Sequence, residues 1–125
     1  MSETKTVMVV DDEPDVLLSV AQILELNNYR TIRAKDGYEC MDKLKEATPD
    51  LLLLDIMMPG LTSKEILERI GEESSLSQIK IIFMTAVHSH EAAEEGLFAS
   101  NQVVDFIEKP FTVRRMLDAI EKAIK

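Results

Sequence analysis

Residues Leu51-Leu52-Leu53-Leu54 form an unbroken apolar run, bounded by Pro49-Asp50 on one side and Pro59-Gly60 on the other. A run this short, without the polar alternation of a half-exposed strand, reads as an interior strand of a parallel sheet covered on both faces. Asp55 closes the run, so a lone carboxylate stands where a buried strand passes into a tight turn. In open sheets of this kind ligands bind in the crevice beyond the carboxyl ends of the strands. The pattern recurs twice: Val7-Met8-Val9-Val10 ends in Asp11-Asp12, and Ile79 to Met84 ends in Thr85.

Apolar strand-like runs near 6–10, 30–34, 51–54, 79–84 and 103–107 alternate with segments of helical periodicity, a (βα)5 pattern. Parallel strands joined by right-handed crossovers give an open, doubly wound α/β sheet with helices on both faces. The first helix should start near Asp12 or Glu13, with Pro14 in its first turn and Val16, Leu17, Val20, Ile23 and Leu24 on one stripe. The second, roughly Asp36 to Ala47, carries Cys40, Met41 and Leu44; the third, roughly Ser63 to Ile70, carries Ile66, Leu67 and Ile70 and stops at Gly71. A fourth segment from about Ser89 to Ala99 has Ala92, Ala93, Leu97 and Phe98 as its apolar positions. Thr112 can cap a fifth helix presenting Val113, Met116, Leu117, Ile120 and Ile124, while Gly71 to Gln78 reads as a surface loop.

With 125 residues, 46% of them hydrophobic, the chain is expected to form one domain, 1–125, with a real core and no room for a second. Acids outnumber Lys and Arg 23 to 14, which disfavours nucleic acid or an anionic membrane as direct partner and favours a cation or a basic protein surface. Cys40 is the only cysteine, so an internal disulfide is impossible and a reducing cytosol is the natural compartment. The N-terminus lacks the features of a signal peptide and no apolar stretch reaches membrane-spanning length, so a soluble, cytoplasmic protein is expected.

The polar residues at the strand ends carry the chemistry. Asp11-Asp12 in isolation reads as a helix cap beside a solvated acid. Asp55 is costly to desolvate at the end of a buried strand, so something cationic should sit over it. If Asp11, Asp12 and Asp55 converge, each pair repels by about 4 kcal/mol at roughly 4 Å and an effective dielectric of about 20. A divalent cation relieves that repulsion, and oxygen donors without His or Cys favour Mg²⁺. Lys109-Pro110 adds a cation at the end of the fifth strand. An acid pair, a lone acid, a hydroxyl and a lysine at neighbouring strand ends together describe a phosphoryl site.

The motifs Val9-Val10-Asp11-Asp12-Glu13, Leu54-Asp55-Ile56-Met57-Met58-Pro59-Gly60, Met84-Thr85-Ala86 and Phe106-Ile107-Glu108-Lys109-Pro110-Phe111 occur in order over essentially the whole chain. In this the sequence resembles a two-component response-regulator receiver domain, similar in extent to single-domain chemotaxis regulators. The resemblance implies a flavodoxin-like sheet of strand order 2-1-3-4-5, with Asp55 as phosphoacceptor from the phosphohistidine of a sensor histidine kinase or phosphotransfer protein. It implies Mg²⁺ (or Mn²⁺) held by Asp11, Asp12, Asp55 and the Met57 carbonyl, phosphoryl contacts from Thr85 and Lys109, and Phe106 as switch aromatic. The output face, on the fourth helical segment, fifth strand and fifth helix, would include Ala92, Leu97, Phe98, Phe106 and Lys109 and bind a downstream protein. It also implies a monomer or phosphorylation-promoted dimer that is not an enzyme beyond catalysing its own phosphorylation and dephosphorylation, and a cis Lys109–Pro110 bond. Lys109→Ala would leave Mg²⁺ binding largely intact, since the lysine is not among the metal ligands. Met57 and Val87 would flank the path of the hydrolytic water, both apolar, so the phosphoryl group should be long-lived.

Several positions depart from the common pattern. Leu61-Thr62-Ser63 follows Gly60 where many relatives have an apolar residue and Asp-Gly, so the third helix should start on a Thr or Ser cap. His88 and His90 lack a third ligand and read as solvated helix-start residues, and Phe106 lacks the hydroxyl of the frequent tyrosine. Two other classes compete. A haloacid dehalogenase-like phosphatase also uses an Asp nucleophile after a hydrophobic strand but needs Asp-x-Asp, where this chain has Met57. A degenerate receiver, acting as a phosphorylation-independent interaction module, is opposed by the intact set Asp11, Asp12, Asp55, Thr85 and Lys109. Few residues remain after the fifth helix, so a DNA-binding domain is not expected to follow.

Overall fold

The structure is a computed structural model, and it describes residues 4–56, 60–85 and 100–124. Five parallel strands, β1 (Thr6–Val10), β2 (Arg30–Ala34), β3 (Leu51–Asp55), β4 (Lys80–Thr85) and β5 (Val103–Glu108), lie in the order β2-β1-β3-β4-β5. The helices are α1 (Pro14–Leu26), α2 (Gly37–Glu46), α3 (Ser63–Gly71) and α4 (Val113–Ile124), the last being the fifth helical segment of the sequence. The segment expected to form a helix over 89–99, with Ala92, Leu97, Phe98 and both histidines, lies outside the described residues, as do Met57, Met58 and Val87.

The central run is buried as its composition requires: Leu51, Leu52, Leu53 and Leu54 are all at 0% exposure. Side chains alternate across a strand, so the run splits its leucines between two cores. Leu51 and Leu53 join Val7, Val9, Val20, Leu24, Met116 and Ile120 in the layer under α1 and α4. Leu52 and Leu54 join Met8, Val10, Cys40, Leu44, Ile66 and Phe83 under α2 and α3. At about 1.5–3 kcal/mol per fully buried leucine, this one strand supplies a large favourable term to the fold.

Local chemistry sets the helix boundaries. Pro14 takes the first position of α1, where its missing N–H costs nothing. Asp36 caps α2 by accepting from the Glu39 N–H, and Thr62 with Glu65 forms a reciprocal capping box on α3, as the Thr-Ser departure predicts. Gly60, two residues before that cap, has φ +87°, a left-handed conformation that glycine adopts without strain. The Lys109–Pro110 bond is cis, as expected.

Three expectations need correction. Gly71 is the last residue of α3 and not its terminator, since it lacks the left-handed conformation and Glu72 is the C-cap. The stretch after it is not a plain loop: Ser74–Leu76 makes a short 3-10 turn that buries Leu76 beside α3. Val113 is exposed, because the core-facing stripe of α4 runs through Met116, Ala119 and Ile120. Ala21 and Ala119 are buried core positions that a search for large apolar residues passes over.

Candidate functional site

The strand ends converge as the parallel register demands. Asp55 pairs in register with Met84, and Thr85 with Glu108, so the ends of β3, β4 and β5 are level beside that of β1. Asp11 lies at 0% exposure directly after β1; its Oδ1 accepts from the Glu13 N–H at 2.9 Å, orienting the carboxylate before α1 begins. Asp55 is 2% exposed, Thr85 is fully buried and Asp12 is exposed. Asp11, Asp12 and Asp55 each offer a carboxylate oxygen within 4.8 Å of the others.

The cation required over Asp55 is Lys109. Its Nζ donates to Asp11 Oδ2 at 2.7 Å and to Asp55 Oδ2 at 3.1 Å, and stands 3.7 Å from Glu13 Oε1. Burial alone would push the ammonium's pKa down, but the hydrogen bond to Asp11 and the charges of Asp55 and Asp11 outweigh it and hold the pKa above the usual lysine value. The main chain of the same residue is tied to the neighbouring strand, with Lys109 N donating to Thr85 O at 2.7 Å. Among the described residues every buried side-chain nitrogen and oxygen has a hydrogen-bond partner, so the acids are compensated and not strained.

The donor set suits a hard divalent cation: carboxylate oxygens only, two of the three buried, and more negative charge than one lysine neutralises. Asp11, Asp12 and Asp55 would hold such an ion. The Met57 carbonyl, expected as a further ligand, lies outside the described residues. Lys109 bonds to two of the carboxylates such a cation would use, those of Asp11 and Asp55.

Of the predicted site residues, Asp11, Asp12, Asp55 and Lys109 come together, and Thr85 is buried at the adjoining strand end. Phe106 is half-buried on β5, its ring edge-on to Phe83 with centroids 6.4 Å apart. Two contributions were not read from the sequence. Glu13 entered only as part of a motif and a helix start, whereas its side chain, 64% exposed, faces Lys109 at the rim. Arg115 was passed over; it forms a bidentate pair with Asp105, ten residues earlier, a spacing with no local signature.

Comparison with known proteins agrees with this geometry. The family model of the response regulator receiver domain matches residues 7–121. The polar-differentiation response regulator DivK of Brucella ovis is 30% identical over 118 residues, which cover 94% of each chain. The phosphate regulon transcriptional regulatory protein PhoB of Escherichia coli is 29% identical over 121 residues, and the match spans only 52% of its length. Among solved structures, the Vibrio cholerae chemotaxis protein CheY4 superimposes with TM-score 0.88 at 25% identity, covering 97% of this chain and 99% of that one. A CheY-like receiver domain protein from Methanospirillum hungatei superimposes with TM-score 0.86 at 29% identity, covering 98% and 94%.

Proposed function

The chain belongs to the response regulator receiver domain family, and from that premise we propose that it is a phosphorylation-dependent signalling switch in which Asp55 accepts a phosphoryl group from the phosphohistidine of a sensor histidine kinase or phosphotransfer protein. The observation that carries this reading is the buried Asp55 carboxylate, held at 3.1 Å by Lys109 beside two further acids. An acid placed so stands at the crevice beyond the strand ends, where ligands bind in sheets of this kind.

Mg²⁺ or Mn²⁺ bound by Asp11, Asp12 and Asp55 would screen the charge that accumulates as phosphorus passes from nitrogen to oxygen. Asp55 supplies the attacking oxygen. Lys109, released in part from Asp11, turns to the transferred group's oxygens and neutralises charge in the transition state. The product carries between about −1.5 and −2 charges and new acceptor oxygens. Lys109 and the Thr85 hydroxyl move toward it, and because Lys109 N is bonded to Thr85 O the two respond together. Phe106 then changes its packing against Phe83 and remodels the face of β5 and α4 that meets a downstream protein.

On this reading residues 1–125 form one receiver domain that catalyses only its own phosphorylation and dephosphorylation. It works in the cytoplasm, as a monomer or a phosphorylation-promoted dimer; no described helix is long and apolar enough to cross a membrane. The formal charge of −9 favours basic partner surfaces over nucleic acid. Incubation with acetyl phosphate followed by intact-mass spectrometry tests the proposal: one phosphoryl group should appear only with a divalent cation present, and Asp55→Asn should abolish it. Equal modification of wild type and Asp55→Asn would refute the assignment.

A further inference from the structure

We propose that Arg115 is a positioning residue for the switch: together with Asp105 it clamps the main chain of Phe106, so that the ring changes state on a fixed strand. The inference rests on the switch role of Phe106 proposed above and adds a residue to it.

β5 is the last strand of the sheet, bonded to β4 on one side only. Lys109 N donates toward β4, and backbone groups alternate in direction along a strand, so the N–H and C=O of Phe106 point away from β4 toward the open edge. Both have side-chain partners there. Phe106 N donates to Asp105 Oδ1 at 2.7 Å, and Arg115 Nη2 donates to Phe106 O at 3.2 Å. The same guanidinium grips both carboxylate oxygens of Asp105, Nη1 to Oδ2 and Nη2 to Oδ1, each at 3.1 Å. The result is a closed ring running from the Phe106 N–H through Asp105 and Arg115 back to the Phe106 carbonyl.

Two further features tie this ring to the switch. Ile81 pairs with Val103 but Ile82 with Asp105, so Val104 is an extra residue that interrupts the ladder just before Phe106. The clamp therefore stands where β4 holds β5 least. Its other end is anchored in the first turn of α4, where Arg115 N donates to Thr112 Oγ1 at 3.0 Å. Burial alone would raise the Asp105 pKa, but the bonds from Arg115 and from the Phe106 N–H reverse this and hold it below the usual carboxylate value.

Fixing the Cα of Phe106 has a mechanical consequence. A pull on Thr85 and Lys109 reaches Phe106 through β4 and β5. On a rigid strand it is expressed as a choice between ring rotamers; on a loose one it spreads into a strand shift and the ring averages between positions. Exposed ion pairs contribute little stability, and with Asp105 32% and Arg115 45% exposed the clamp's effect should fall on the switch and not on the fold.

Fluorine NMR on protein labelled with 4-fluorophenylalanine tests this. The chain has four phenylalanines, so Phe106→Leu assigns the resonance. In the wild type, beryllium fluoride with Mg²⁺, as phosphoryl analogue, should move the Phe106 signal between two positions. In Arg115→Gln the displacement should fall to half or less and the analogue-free line should broaden, while urea midpoint and analogue affinity change less than twofold. Arg115→Lys keeps the charge but lacks the fork and should not restore the response; Asp105→Asn provides a second break from the other side. A full wild-type displacement in both Arg115→Gln and Asp105→Asn would overturn the clamp. No displacement in the wild type with analogue bound would overturn the switch reading itself, and the clamp with it.

Discussion

Replacing Lys109 by Met should destabilise the metal-free protein and tighten its hold on Mg²⁺ at the same time. At an effective dielectric of about 20, the gross attraction of Lys109 Nζ is roughly 6 kcal/mol toward Asp11 at 2.7 Å and roughly 5 kcal/mol toward Asp55 at 3.1 Å. Desolvation of an ammonium only 17% exposed offsets much of that. Removing one partner of a buried pair leaves the other charges uncompensated, and losses of about 3–5 kcal/mol are typical. Taking about 3 kcal/mol for the metal-free form, and half of it for the ion-bound form in which the carboxylates have another cation, the cycle leaves about 1.5 kcal/mol in favour of binding, or roughly tenfold in affinity. The stabilising charge is present below the unfolded lysine pKa and is lost only as pH rises through the raised folded value. Neutral pH is therefore the right condition. Titration calorimetry with Mg²⁺ and urea melts at several Mg²⁺ concentrations read both quantities, the melts because a ligand binding only the native state stabilises by mass action. A wild-type or weaker Mg²⁺ affinity in Lys109→Met, with the fold intact, would refute the competition.

The remaining predictions address the core, the pH dependence and the signal lifetime. Gly37→Ala should destabilise by about 1–3 kcal/mol, since its Cβ would lie 2.8 Å from Leu61 Cβ and 2.9 Å from Ile66 Cδ1. Gly71→Ala, with open space at a helical position, should stabilise by up to about 1 kcal/mol, and denaturant midpoints that fail to move in opposite directions would contradict this packing. Burial first, and the charge of Asp36 second, push the Cys40 thiol up to about 12, so its contribution is intact below pH 9 and is lost as the unfolded thiol ionises above it. The stability gap between wild type and Cys40→Ala should shrink by roughly 1.4 kcal/mol per pH unit from about pH 9 to 11, and parallel curves would show the thiol is not held neutral. Met57→Asn with Val87→Glu should speed spontaneous phosphate loss about tenfold or more by helping to place and activate the attacking water; an unchanged half-life in a folded, phosphorylated double variant would exclude that control.

Much of the architecture was legible because it follows from periodicity and capping, which are local. Leu51 to Leu54 declared a strand buried on both faces, Pro14 and Thr62 marked helix starts, and strand-end acids declared a crevice. The misreadings share a physical cause, since each depends on what another segment contributes. Val113 is as apolar as Met116, but only the angle at which α4 meets the sheet exposes one and buries the other. Gly71 carries a stop signal that the following turn over Leu76 makes unnecessary. The Arg115–Asp105 pair needs the bulge at Val104 and the start of α4 to be placed before the two charges can meet.

The clearest limit of strand-end reasoning lies in Lys109. Charge bookkeeping required a cation over Asp55 and separately proposed a divalent ion among the three acids, as though the two demands were independent. The structure meets the first with the lysine, which binds two of the three carboxylates the ion would use, those of Asp11 and Asp55. Four acids, Asp11, Asp12, Asp55 and Glu13, face one ammonium, so the metal-free site keeps a formal charge of about −3. Phosphorylation would replace the single Asp55 charge by a group of about −1.5 to −2, so about −0.5 to −1 is added to a site already in deficit. On the proposed reaction the lysine cannot leave Asp11 for the phosphoryl oxygens unless another cation takes its place. Metal binding and phosphorylation must then each favour the other by the same free energy, a reciprocity that any thermodynamic linkage imposes. On the proposed reaction Lys109 would serve as a placeholder that stabilises the resting fold and, once displaced, would become the group that reports the phosphate to β4 and β5.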